Sequence, residues 1–162
     1  MRRGVTATVV AALLALPAFG AERDRRPAPE PEPFYLDLER SAEVALTRGE
    51  AAVAARKLRL ACFGMLDLPE RLGACLVKLG VAQGDAGDRA GFEETFERLD
   101  ALEGRFPVYS SLRLEPELRA RFEERLKAWI SVETLASRPA FRPLAWVPAP
   151  REEKKPKRER RP

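Results

Sequence analysis

Between Leu72 and Leu102 apolar residues recur in steps of three and four. Leu72, Leu76, Leu79 and Gln83 share one face, with Gly80 and Ala82 beside it. Phe92, Phe96, Leu99 and Leu102 make a second such face. At 3.6 residues per turn each set lies along one side of a helix. Between them stands Gly84-Asp85-Ala86-Gly87-Asp88, where glycine supplies a positive φ and Asp88 an N-cap. Gly80 has no Cβ, so a partner helix can come close there. The outer face of the second pattern carries Glu93, Glu94, Glu97, Arg98 and Glu103. The stretch predicts two antiparallel helices on a short turn, about Leu68–Gln83 and Arg89–Glu103.

The same arrangement stands upstream. A helix over Phe34–Thr47 has Leu38, Ala42, Ala45 and Leu46 on its apolar face. After the turn Arg48-Gly49-Glu50, an alanine-rich helix over Glu50–Leu66 points Val53, Ala54, Leu58, Ala61 and Met65 inward. Asp67-Leu68-Pro69-Glu70 reads as a capping box with proline in the first turn of the next helix. At an offset of 38 positions, Ala42 matches Gly80, Gly49 matches Gly87 and Glu50 matches Asp88. Likewise Leu58 matches Phe96, Ala61 matches Leu99 and Pro69 matches Pro107. Small, apolar and turn residues kept in order at a fixed spacing are the sequence sign of a repeat.

Leu76-x-x-Leu79-Gly80 followed by Phe92-x-x-x-Phe96 resembles a tetratricopeptide repeat. The likeness covers about residues 34–107. It departs from the family in period, in Phe92 where alanine is usual, in Gln83 where tyrosine is usual, and in Ser41 where leucine is usual. The resemblance implies an all-α, TPR-like stack of two helical hairpins that holds a protein or peptide partner in a groove. The first helix of each unit would line that groove, with Tyr35, Glu39, Arg71 and Lys78 as the partner-binding candidates. Two units make a shallow groove, so a permanent partner or a homo-oligomer stands level with a transient ligand.

A fifth helix is expected from Pro116 to Leu135, with Leu118, Phe122, Leu126, Trp129 and Ile130 in one stripe. Two stacked hairpins leave an apolar end, and this helix is expected to cap it. The helical domain thus spans 34–136. Residues 137–150 contain Pro139, Pro143, Pro148 and Pro150 among Phe141, Leu144, Trp146 and Val147. Proline excludes a regular helix there, leaving an extended strap across the helices or a mobile tail. Residues 151–162 have no apolar side chain and are expected to be disordered.

Residues 1–20 have Arg2 and Arg3, an apolar run from Val5 to Leu16, and Ala18-Phe19-Gly20. This is the pattern of a secretory signal peptide cut after Gly20 or Ala21; the alternative is an uncleaved membrane anchor. No cysteine follows the run to carry a lipid. Residues 21–33, rich in proline and charge, read as an extended linker, with a polyproline ligand as the alternative.

Charge changes this picture little. The formal +4 arises at the ends: residues 151–162 alone hold seven basic and three acidic side chains. The helical part is slightly acidic, which argues against nucleic acid. The tail stays solvated, or touches anionic lipid, the cell wall or an acidic partner. In a second reading the protein is a structural envelope tether that acts through this tail.

Cys62 and Cys75 flank the Asp67–Pro69 turn at comparable distances. In an antiparallel helix pair they stand at similar height. An oxidising compartment would permit a disulfide; the alternative is two buried thiols. Histidine is absent, which removes the commonest general base and metal ligand. Glu93-Glu94, Glu123-Glu124 and Glu152-Glu153 are adjacent pairs whose side chains diverge on a helix, and Ser110-Ser111 has no evident base. The chain reads as non-catalytic, with no cofactor and no metal.

Overall fold

A computed structural model describes residues 30–145 of the chain. The segment at 1–20, the linker up to residue 29, the strap beyond 145 and the tail at 151–162 lie outside the described residues. The described part is all-α. It runs α1 Pro33–Thr47, α2 Ala51–Phe63, α3 Pro69–Asp85, α4 Arg89–Arg105, α5 Pro116–Trp129 and α6 Val132–Ser137. Single 3-10 turns lie at Tyr109–Ser111 and Arg142–Ala145.

Helices α1 and α2 form one hairpin, α3 and α4 the next, and α2 packs on α3 to stack the two. Three helices open on proline, at Pro33, Pro69 and Pro116, whose fixed φ suits the first turn and whose missing N–H is no loss there. The two hairpin turns are built alike. Gly49 and Gly87 take φ of 76° and 71°. In each turn the next residue closes the helix end with the same long backbone bond, Glu50 N–H to Ala45 O and Asp88 N–H to Gln83 O, both 2.9 Å. The 38-residue offset of the sequence is therefore also an offset of geometry. Only the second turn adds a side-chain cap, with Gly91 N–H donating to Asp88 Oδ1 at 3.0 Å.

The core runs through both hairpins. Ala42, Ala54 and Leu58 are sealed between α1, α2 and α3, and Phe92, Phe96 and Leu99 between α3 and α4. One buried polar pair crosses α3 and α4: Thr95 Oγ1 donates to Gln83 Oε1 at 2.8 Å. Helix α5 packs on α3 at Gly80. A Cβ on Gly80 would stand 2.6 Å from Phe122 Cε2, so the missing side chain is the seat of that ring. Phe122 in turn meets Phe92, with ring centroids 5.6 Å apart. The expected cap of the stack is thus α5.

Four boundaries differ from expectation. Helix α2 stops at Phe63 rather than Leu66, because the chain turns at Gly64. The Asp67–Glu70 capping box does not form: Leu68 is the N-cap of α3 and no side chain caps it. The fifth helix stops at Trp129 rather than Leu135. Ile130 is extended, and Ser131 starts α6 by accepting the Thr134 N–H at 3.1 Å. A serine oxygen that takes a backbone N–H competes with helix continuation, and here it wins. Finally, the linker ends earlier than expected, for Pro31 is already buried.

The strap docks as far as it is described. Phe141 is fully buried, its ring 5.1 Å from Phe96 and 4.8 Å from Tyr109. Arg138 anchors it to α4 through Asp100 at 3.0 Å and Glu97 at 3.6 Å.

Candidate functional site

The four candidates on α1 and α3 divide. Lys78 donates to Glu39 at 2.6 Å and to Glu43 at 2.5 Å, so it clamps α3 to α1. Burial alone would lower the Lys78 pKa; hydrogen bonds and charge from Glu39 and Glu43 outweigh it, and the net shift is upward. Glu39 and Lys78 are brought together, but as each other's partners. Tyr35 lies over Gly64, where a Cβ would collide with its ring, so it closes the α1–α2 end of the hairpin. Arg71 stands apart and exposed, beside Glu70, Ser111 and Arg113.

A different surface gathers exposed apolar side chains. Between α2 and α4, with α3 as its floor, lies a groove of about 460 Å³. Leu72 and Leu76 of α3 make the floor. Phe63 and Leu66 form one wall, and Leu102 and Phe106 the other. Phe63 is 64% exposed, Leu66 58% and Phe106 47%. Local backbone explains why they face solvent. The chain turns out of α2 after Phe63, and Phe106 is an extended C-cap (φ −136°, ψ 105°) that ends α4. Large apolar side chains clustered in one concavity are the usual mark of a contact surface.

The rim is basic. Arg59 stands on the α2 wall and Arg98 and Arg105 on the α4 wall, and no carboxylate is among the lining residues. Arg59 reaches Asp88 only at 3.8 Å, and Arg98 pairs with Glu94 at 2.6 Å in a largely exposed contact. Such solvent-facing pairs hold the guanidinium weakly, so both remain available to another anion.

Cys62 and Cys75 are joined by a disulfide behind this groove, with Cα atoms 5.5 Å apart. Cys62 lines the groove and Cys75 lies in the core of α3, so the bond ties one wall to the floor.

The remaining polar clusters are structural. Asp85 pairs with Arg121 and, at 3.9 Å, with Arg125, fixing the end of α3 to α5. The Tyr109 hydroxyl donates to Glu123 at 3.2 Å beneath the Arg119 guanidinium. Burial, then the charge of Glu123, pushes its pKa up, so it stays a neutral phenol. Among the described residues no group of histidine, cysteine or carboxylate side chains has metal-binding geometry. No described helix is long and apolar enough to cross a membrane.

Phe63, Leu66 and Phe106 were hidden from a reading by periodicity because they lie at helix ends, off the inward stripes. Their signal is that mismatch: Phe63 and Leu66 flank Met65, the last inward residue of the second stripe. Comparison of the chain with protein-family models, with curated proteins and with solved structures returned no match.

Proposed function

We propose that the protein is an exported, non-catalytic interaction module that binds a partner protein through the groove between α2 and α4. The observation that carries this reading is the exposure of Phe63, Leu66 and Phe106 around one concavity of a helical stack. The apolar run of residues 5–16 behind Arg2 and Arg3 supports export. The tetratricopeptide resemblance supports binding by shape on a scaffold of stacked hairpins. The binding face, however, moves from the first helices, where Glu39 and Lys78 satisfy each other, to the second helices of each hairpin.

A photo-crosslinking residue at Leu66, in the full chain made in cells, tests this. One discrete adduct with another polypeptide is expected, absent when the same crosslinker stands at Glu124 on the exposed side of α5. No adduct at Leu66, or an adduct only with a second copy, would overturn the reading.

A further inference from the structure

We infer that the occupant of the α2–α4 groove is an amphipathic helix of another protein with acidic residues flanking its apolar stripe; this rests on the partner-binding reading above. Charge complementarity carries the step. Arg59, Arg98 and Arg105 frame an apolar floor from both sides, and nothing acidic lines it. A ligand with a basic flank would be repelled from both walls, and a neutral one would leave the rim unused.

The groove also has a length. The α4 wall runs as helix from Arg98 to Arg105, about two turns or roughly 11 Å at 1.5 Å per residue, and the facing wall runs from Arg59 through Phe63 into the turn at Leu66. Such a slot takes apolar side chains at i, i+3 or i+4, and i+7 of an inserted helix. Acidic residues beside that stripe would meet the arginines at the rim.

The chain itself offers no such segment. Residues 146–162 hold Trp146 and Val147 but are strongly basic, and residues 21–29 hold no large apolar side chain. Residues 1–20 hold Arg2 and Arg3 and no carboxylate. Outside the groove a second copy presents only Phe34, Val44, Leu60 and Val132 as large exposed apolar side chains among the described residues, spread over α1, α2 and α6 and not in one helical stripe, because the stripes of α1 to α5 are turned into its own core.

The test uses two synthetic peptides against the full chain, read by fluorescence anisotropy. Both are about four turns long with leucines at helical spacing; one has glutamates beside the stripe and the other lysines. The glutamate peptide is expected to bind at least about tenfold more tightly than the lysine peptide. Arg105→Glu, whose arginine has no ion pair among the described residues, is expected to weaken the glutamate peptide about three- to tenfold. The triple variant R59E/R98E/R105E is expected to invert the preference, with an unchanged circular-dichroism spectrum as its control. Raising salt from about 0.05 to about 0.5 M is expected to erode the difference on the wild-type chain.

Equal binding of the two peptides, or a preference untouched by R105E and by salt, overturns the inference. If neither peptide binds while the Leu66 adduct persists, the partner chemistry is wrong and the binding reading stands; if the adduct is absent too, both fall. A dimer in light scattering that Leu66→Glu dissociates makes the occupant a second copy and also overturns the inference.

Discussion

Lys78 Nζ stands 2.6 Å from Glu39 Oε1, and the two residues lie on helices of different hairpins. Glu43 takes a second bond from the same ammonium at 2.5 Å. Both Glu39 and Lys78 are mostly buried, with 14% and 21% of their side chains exposed. Their role is to hold α1 against α3.

Removing one member leaves the other short of a partner in a part-buried site. Glu39→Gln and Lys78→Met are each expected to destabilise the fold by about 1.5–3 kcal/mol, and the double variant by less than the sum. Denaturant titrations of the four chains check this.

The same contact predicts a pH dependence. The Lys78 pKa is raised above its ordinary 10.5 in the folded protein, and that of Tyr109 above its ordinary 10.0. In both cases the folded state holds its proton more tightly than the unfolded chain. Their contributions are thus complete below about pH 10 and are lost as pH rises toward the folded values. The urea midpoint is expected to fall above about pH 10, and to fall less steeply in Lys78→Met and in Tyr109→Phe.

Gly80→Ala should be harmful although alanine is the better helix former. Propensity favours the change by about 1 kcal/mol, but the new methyl would stand 2.6 Å from Phe122 and 3.4 Å from Phe92. Displacing α5 is expected to cost about 1–3 kcal/mol more than that gain. Phe122→Leu in the same chain should relieve part of the loss. A stable G80A with α5 still docked would show that the ring moves freely.

Reduction should loosen the stack. The Cys62–Cys75 bridge closes a loop with a sequence separation of 13. A loop of that size is worth about 2–4 kcal/mol, mainly through the unfolded state. Cys62→Ser with Cys75→Ser, or reductant on the wild type, should lower the melting temperature, measurable by calorimetry. Equal stability with and without reductant would contradict this. So would two free thiols in the unfolded, unreduced protein.

Phe141 is the strap's anchor. It is fully buried between Phe96 and Tyr109, so Phe141→Ala is expected to cost about 3–5 kcal/mol. Hydrogen exchange should show α4 and α5 losing protection together in that variant.

How much of this could be read in the chain follows from which interactions are local. The hairpins were legible because Leu76, Leu79, Phe92, Phe96 and Leu99 repeat with the helix period, and because Gly49 and Gly87 mark the turns that need a positive φ. The paired position of Cys62 and Cys75 was legible for the same reason, as two helices on a short turn bring equidistant residues together. The break of the fifth helix was not. Trp129 and Ile130 extend the stripe of Phe122 and Leu126, and only the Ser131 cap, a side-chain bond, interrupts it. The clamp between Glu39 and Lys78 was not legible either. Periodicity gives the face of a helix but not which charge on another helix that face will meet. The groove escaped for a related reason, since Phe106 is placed by an irregular C-cap and not by a helix register.

The disulfide gives the two walls of the groove unequal freedom. One jaw, α2, is bolted covalently to the floor through Cys62 and Cys75. The other, α4, has no covalent tie to the floor beyond its hairpin turn and is held by side-chain packing, the Thr95–Gln83 hydrogen bond, the Arg89 bond to the Trp129 carbonyl and the Arg138 ion pairs. Any widening to admit a guest is therefore a swing of α4. That swing carries Arg98 and Arg105 outward and pulls on Arg138 and Phe141, which ride on the same helix. The strap from Arg138 to Ala145 is thus mechanically geared to the mouth of the groove, and its position can report whether the jaw is open.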